Sequence, residues 1–180
     1  MAAKRKAGPP EATARCGPHH NACVAHYTIS TRAAAPVDDV FALWTDLPRM
    51  GEWVGGVTGV TDISGSIDRA GTTYVVHFGP MTSPTEVLEV ERPHRFATRF
   101  GNRILRGHTV ATFEPDGDGT RITQEFQTVG RISAISAWIF SRGSYEGSFR
   151  GELEKFARIA EREAASRRPA PEPSSSGGSP

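Results

Sequence analysis

Four polar side chains fall on faces that otherwise read as apolar: Tyr74, Gln124, Arg142 and Tyr145. A phenol can relay a proton, an amide can orient a carbonyl, and a guanidinium can steady an oxygen that gains charge. These four are the catalytic candidates. Arg142 is the most informative, because a buried cation without a partner is expensive. It must meet a carboxylate, a ligand carbonyl or water, or else reach solvent along its aliphatic stem. Tyr145 could equally fill core with one hydrogen bond, and Gln124 could simply satisfy a neighbour. No Ser/His/Asp order, paired-carboxylate signature or phosphate loop accompanies them.

A second cluster, Cys16, His19, His20, Cys23 and His26, has ligand types that can hold zinc. Its spacing matches no established finger and no second cluster follows. Coincidence in a tail is the plainer reading, and no metal or cofactor is expected.

The candidates are positioned by a long helix and a series of strands. The helix is expected from Ile132 to about Arg162, with Trp138, Tyr145, Phe149, Leu153, Phe156 and Ala160 on one stripe and Arg142 on the same stripe. Gly143, Gly147 and Gly151 lie on the opposite side. At spacing four they could admit a second copy of the helix, let it bend, or be drift on a solvent face.

Upstream, Val24–Ala34 alternates with period two, so Tyr27, Ile29, Thr31 and Ala33 face inward, and His26 points outward or sits at the strand start. Ala35-Pro36 then starts a helix with the apolar stripe Val37, Val40, Phe41, Trp44 and Leu47. Pro48 is expected to end it, and Arg49–Val54 to form a second short helix. Strands follow at Val57–Ile63, Thr72–Phe78, Thr85–Glu91, Arg95–Phe100, Leu105–Glu114 and Thr120–Val129. The last two flank Asp116-Gly117-Asp118-Gly119, a hairpin signal. One helix closing a run of antiparallel strands must bury its stripe against their inner face. The expected ligand wall is therefore Trp53, Tyr74, Val76, Phe78, Phe96, Phe100, Phe113, Gln124, Phe126, Trp138, Arg142, Tyr145 and Phe149. Trp53 could cap the cavity or pack beside it.

Composition excludes several classes. The net charge of +1 over 180 residues creates no strong pull on nucleic acid. No apolar run approaches the roughly 20 residues that a membrane helix needs. Two cysteines make no disulfide framework, which points to the cytoplasm. An excess of Arg over Lys with much Ala, Gly and Pro fits a GC-rich bacterial genome. Residues 1–22 lack apolar periodicity and are expected to be disordered, as is the Pro/Ser/Gly-rich stretch 165–180. One domain over 23–164 remains.

The order Ala33-Ala34-Ala35-Pro36, Val37-Asp38-Asp39-Val40-Phe41-Ala42-Leu43-Trp44-Thr45-Asp46, Trp53, Gly71, Glu89-Val90-Glu91-Arg92-Pro93-His94-Arg95 and Gly119-Thr120-Arg121-Ile122-Thr123, closed by the long helix, resembles the SRPBCC or START-like helix-grip superfamily. The similarity is to its polyketide cyclase/dehydrase and lipid-transport branch. That resemblance implies an α+β helix-grip fold, with a seven-stranded curved antiparallel sheet wrapped round the C-terminal helix. Two short helices sit between strands 1 and 2. It also implies a cavity for a hydrophobic or amphipathic small molecule. Three functions stay open: cyclisation or dehydration of a polyketide-like substrate, non-catalytic carriage or sensing of a lipid-like ligand, and protein interaction, including a homodimer through the glycine strip.

Overall fold

The computed structural model describes residues 13–16, 23–101, 106–130 and 144–167, with side chains from His26 onward except at 129–130 and 144–146. Eleven elements follow in order. They are β1 (Thr13–Cys16), β2 (Cys23–Ala33), α1 (Val37–Thr45), a 3₁₀ helix (Leu47–Glu52), β3 (Gly59–Thr61), β4 (Thr73–Phe78), β5 (Met81–Glu91), β6 (Arg95–Gly101), β7 (Arg106–Asp116), β8 (Gly119–Gly130) and α2 (Ser144–Arg167). One antiparallel sheet has the order β1-β2-β8-β7-β6-β5-β4-β3. The seven strands from β2 to β8 are the expected helix grip.

The first strand departs from the expected disorder at Thr13–Cys16 alone. Thr13–Cys16 pairs with Cys23–His26, so that Cys16 lies opposite Cys23 in the register. Backbone ladder bonds to an open edge need no apolar period, which is why composition concealed it. The rest of 1–22, with His19 and His20, lies outside the described residues. Among the described residues no group of three or more His, Cys, Asp or Glu could hold a metal.

Several boundaries move. Pro48 does not end α1. The helix stops at Thr45, and Pro48 sits in the first turn of the 3₁₀ helix, where a missing N–H costs nothing. The strand expected over Val57–Ile63 shrinks to Gly59–Thr61, because Asp62 takes the left-handed conformation at φ 55° and turns the chain away. Conversely, β5 begins at Met81 directly after the Gly79-Pro80 turn and carries Pro84 within it. The Asp116–Gly119 hairpin forms as expected, closed by Gly117 at φ 65°.

The core lies at one end of the grip. Phe41, Phe113 and Phe156 are fully buried, with Val40, Leu47, Val87, Ile122 and Leu153 around them. Phe41 and Trp44 meet Phe113 edge-on at 5.5 and 5.6 Å, and Trp44 and Trp53 meet Phe156 at 5.0 and 5.1 Å. Such pairs add about 0.5–1.5 kcal/mol each beyond area burial. On α2 the stripe Leu153, Phe156 and Ala160 is buried, with Ala157, Ile159 and Ala164 widening it. The helix runs on to Arg167, which pairs with Asp39 of α1. Glu163 also binds Arg49 of the 3₁₀ helix at 2.5 Å. In the same half of the helix Glu161 accepts the Ala34 N–H at 2.9 Å. Polar ties thus fix the C-terminal half of α2 to both small helices and to the end of β2. No helix of the described residues is long and apolar enough to cross a membrane.

Candidate functional site

Because side chains alternate along a strand, register fixes which ones share the inner face. One row across the sheet reads Tyr74, Thr85, Phe100, Gly107 and Thr128. The next reads Val87, Thr98, Thr109, Phe126 and Tyr27. Then follow Val90, Phe96, Ala111, Gln124 and Ile29, and after them Phe113, Ile122 and Thr31. The inner face therefore changes character along its length. The Phe113 end is aliphatic, aromatic and fully buried under α1, the 3₁₀ helix and α2. Towards the other end hydroxyls replace aliphatic groups, and Tyr27, Phe78, Phe100, Thr109, Gln124 and Phe126 are only partly buried although they point inward.

Three phenylalanines mark that open end. Phe100 stacks on Phe126 at 5.2 Å with 18° between planes, and Phe126 meets Phe149 of α2 at 4.8 Å. Gly107 makes this possible. A Cβ there would lie 2.7 Å from the Phe100 ring and 2.1 Å from the Gln127 carbonyl oxygen. Only glycine lets the ring cross β7 to reach Phe126.

Beside the rings runs a chain of hydroxyls. Tyr74 is 4% exposed with Thr98 beside its phenol, and Thr98 shares a 2.7 Å hydrogen bond with Thr109. Burial pushes the Tyr74 phenol well above its usual range, so it stays a neutral donor at physiological pH.

At the rim, Glu152 of α2 accepts the Gly55 N–H at 2.8 Å and ties down the loop after Trp53. Burial raises its pKa, and the Gly55 hydrogen bond and Lys155 only partly offset this. A Cβ on Gly55 would lie 2.9 Å from that carboxylate oxygen, so a larger residue there would make the Glu152 side chain shift. Glu152 was missed in the sequence because a charge flanking an apolar stripe reads as a solvated face. Gly107 gave no signal beyond an isolated strand glycine.

The expected ligand wall divides between the two ends. Phe78, Phe100, Gln124, Phe126 and Phe149 are partly buried, on the hydroxyl-rich half or on the helix above it. Tyr74, Phe96, Phe113, Val76 and Trp53 are packed in the core. Trp53 packs on Phe156, so of its two expected roles the packing one is seen. Trp138 and Arg142 lie outside the described residues, as does the Tyr145 side chain. A depression of 580 Å³ at β4–β6 is lined by residues of both faces, Tyr74, Thr85 and Phe100 of the inner row as well as Thr73, Glu86 and Arg99 of the outer. Arg99 and Glu86 pair at 2.5 Å.

Known structures share the architecture. The Mll3558 protein from Rhizobium loti is 23% identical, with a TM-score of 0.59 over 77% of this chain and 99% of that one. An uncharacterized protein from Rhizobium leguminosarum is 18% identical, with a TM-score of 0.60 over 78% and 97%. The di-domain ARO/CYC StfQ from the steffimycin biosynthetic pathway is 14% identical, with a TM-score of 0.61 over 79% of this chain and 52% of StfQ. At these identities the likeness is one of fold. No curated protein matches the chain. The polyketide cyclase / dehydrase and lipid transport family matches residues 24–161, nearly the whole span from β2 through most of α2, and the chain belongs to that family.

Proposed function

We propose that the chain binds a hydrophobic or amphipathic small molecule between the hydroxyl-rich half of the sheet and the N-terminal turns of α2. One observation carries this reading. The inward-facing Phe113, Ile122 and Phe41 are fully buried, whereas Tyr27, Phe100, Thr109, Gln124 and Phe126 are only partly buried. Large apolar side chains left accessible on an inner face define a place for a guest, not a finished core. The apolar floor supplies affinity, and a few hydroxyls supply orientation.

Family membership supports a further step, in which the bound molecule is a polyketide-like chain that the cavity folds for cyclisation or dehydration. Holding two reacting carbons together removes entropy from the barrier. The neutral Tyr74 phenol is the described donor suited to a carbonyl oxygen as it gains charge. Carriage without chemistry uses the same cavity and differs only in this step.

Purification under gentle conditions from the native host, followed by mass spectrometry of co-eluting small molecules, tests the binding reading. An apolar or amphipathic compound at near one per chain is expected. Protein that remains empty there, and that also takes up no added hydrophobic probe, would remove it. Turnover of a candidate substrate that is unchanged in Tyr74→Phe would remove the catalytic role of Tyr74.

A further inference from the structure

We propose that Cys16 and Cys23 are joined by oxidation into a cross-strand disulfide that clips β1 to the edge of the sheet. The inference stands on strand pairing and is independent of the cavity.

Register brings the two residues together. β1 runs antiparallel to β2, and Cys16 opposite Cys23 is the pair nearest the connection between the strands. Directly opposed residues in such a ladder have Cα atoms about 4.5 or 5.5 Å apart, according to whether the pair exchanges hydrogen bonds. A disulfide accepts Cα separations of about 4.4–6.8 Å, so either kind of pair suits it. Opposed residues also share a face, with Cβ atoms about 4.5–5.5 Å apart. The bond draws these to about 3.5–4.5 Å. Cys16 can make that small movement, because β1 is the outermost strand and has β2 alone as its ladder neighbour. The zinc reading gains no such support from β2. Cys23 and His26 are three apart on the strand and so fall on opposite faces, and His26 lies 4.0 Å from Glu125.

The oxidant is a small-molecule disulfide such as oxidised glutathione. The thiolate of one cysteine attacks it, forming a mixed disulfide and releasing one thiol. The thiolate of the other cysteine then attacks the protein sulfur of that mixed disulfide and releases the second thiol. The S–S bond of the oxidant breaks and the Cys16–Cys23 bond forms. Two electrons pass from the protein sulfurs to the oxidant, and the two thiol protons end on the released thiols. A four-residue strand at a sheet edge opens readily, so this one bond decides how firmly β1 stays paired.

The reduced full chain, equilibrated in graded glutathione buffers both native and in urea, tests this. Samples are quenched with acid, alkylated with N-ethylmaleimide and weighed by mass spectrometry. The native chain should collect as a monomer about 2 Da lighter than the reduced chain, with no maleimide added. Its formation constant should exceed that of the urea-unfolded chain about tenfold or more, because register holds the two residues opposite. Cys16→Ser and Cys23→Ser should each take one glutathione instead. Hydrogen exchange of the Thr13–Cys16 amides should slow about tenfold on oxidation and recover on reduction. Two glutathione adducts per chain, a disulfide-linked dimer, or equal constants in buffer and in urea would overturn the pairing. Exchange that does not change on oxidation would overturn the clip.

Discussion

Two phenylalanines on one face of the sheet should behave differently when cut back to alanine. Phe113 is fully buried between Phe41, Trp44 and Ile122. Its ring has no route to solvent, so Phe113→Ala leaves a void and forfeits two edge-on aromatic contacts. Large-to-small changes of this kind cost about 3–5 kcal/mol. Phe126 also points inward, but it is only partly buried and borders space. Phe126→Ala forfeits part of the transfer energy and its ring contacts, at a position that is already partly accessible. Full burial of such a side chain contributes about 1.5–3 kcal/mol, so a cost of about 1–2 kcal/mol is expected here. The binding effects should invert. Phe126→Ala should abolish most affinity for an aromatic guest, whereas Phe113→Ala should retain it at temperatures where the variant stays folded. Urea denaturation gives the first comparison and probe titration the second. If Phe126→Ala costs as much stability as Phe113→Ala, the open end is packed as tightly as the core and the reasoning fails.

Other outcomes follow from the same geometry. Gly107→Ala should cost more than about 1 kcal/mol, because its Cβ would meet the Gln127 carbonyl at 2.1 Å, and near-ultraviolet circular dichroism should show Phe100 displaced; a silent substitution would mean that the ring does not need the gap. Glu152 has a raised pKa in the folded chain, so folding favours its protonated form and stability falls as pH rises from the ordinary carboxylate value through the folded one. Glu152→Gln keeps an acceptor for Gly55 and should flatten that part of the stability-against-pH curve, and a curve identical to the parent would remove Glu152 from it. Gly147→Ala and Gly151→Ala should each stabilise by about 0.5–1 kcal/mol, since an added Cβ at either meets nothing within 4 Å. A loss of stability with a changed gel-filtration volume would instead place a second chain on that strip.

Much of the fold is legible in the sequence where a physical period repeats. Leu153, Phe156 and Ala160 at helical spacing, and Ile29, Thr31 and Ala33 against Ser30 and Arg32, give the two surfaces that must meet. The Asp116–Gly119 turn pins the register of β7 on β8, from which the inner rows can be read outward. What alternation cannot state is where along a face a residue lies. Phe113 and Phe126 alternate alike, yet one is core and the other borders space, because α1, the 3₁₀ helix and the polar ties of α2 gather at one end. The approach of Tyr74 to Thr98 was hidden for a related reason. The two lie on strands separated by β5, so their meeting depends on two registers and a tyrosine long enough to reach across. Glu152 and Gly55 meet only once α2 is docked, and no local pattern encodes that contact.

The central claim is that a guest sits inside the grip, over Phe126. A crystal structure of the chain grown with 2-acetylnaphthalene tests it most directly. Density is expected between β6–β8 and α2, against Phe100, Phe126 and Phe149. Density confined to the side of the sheet that carries Glu86 and Arg99, with the interior closed by side chains, would contradict it.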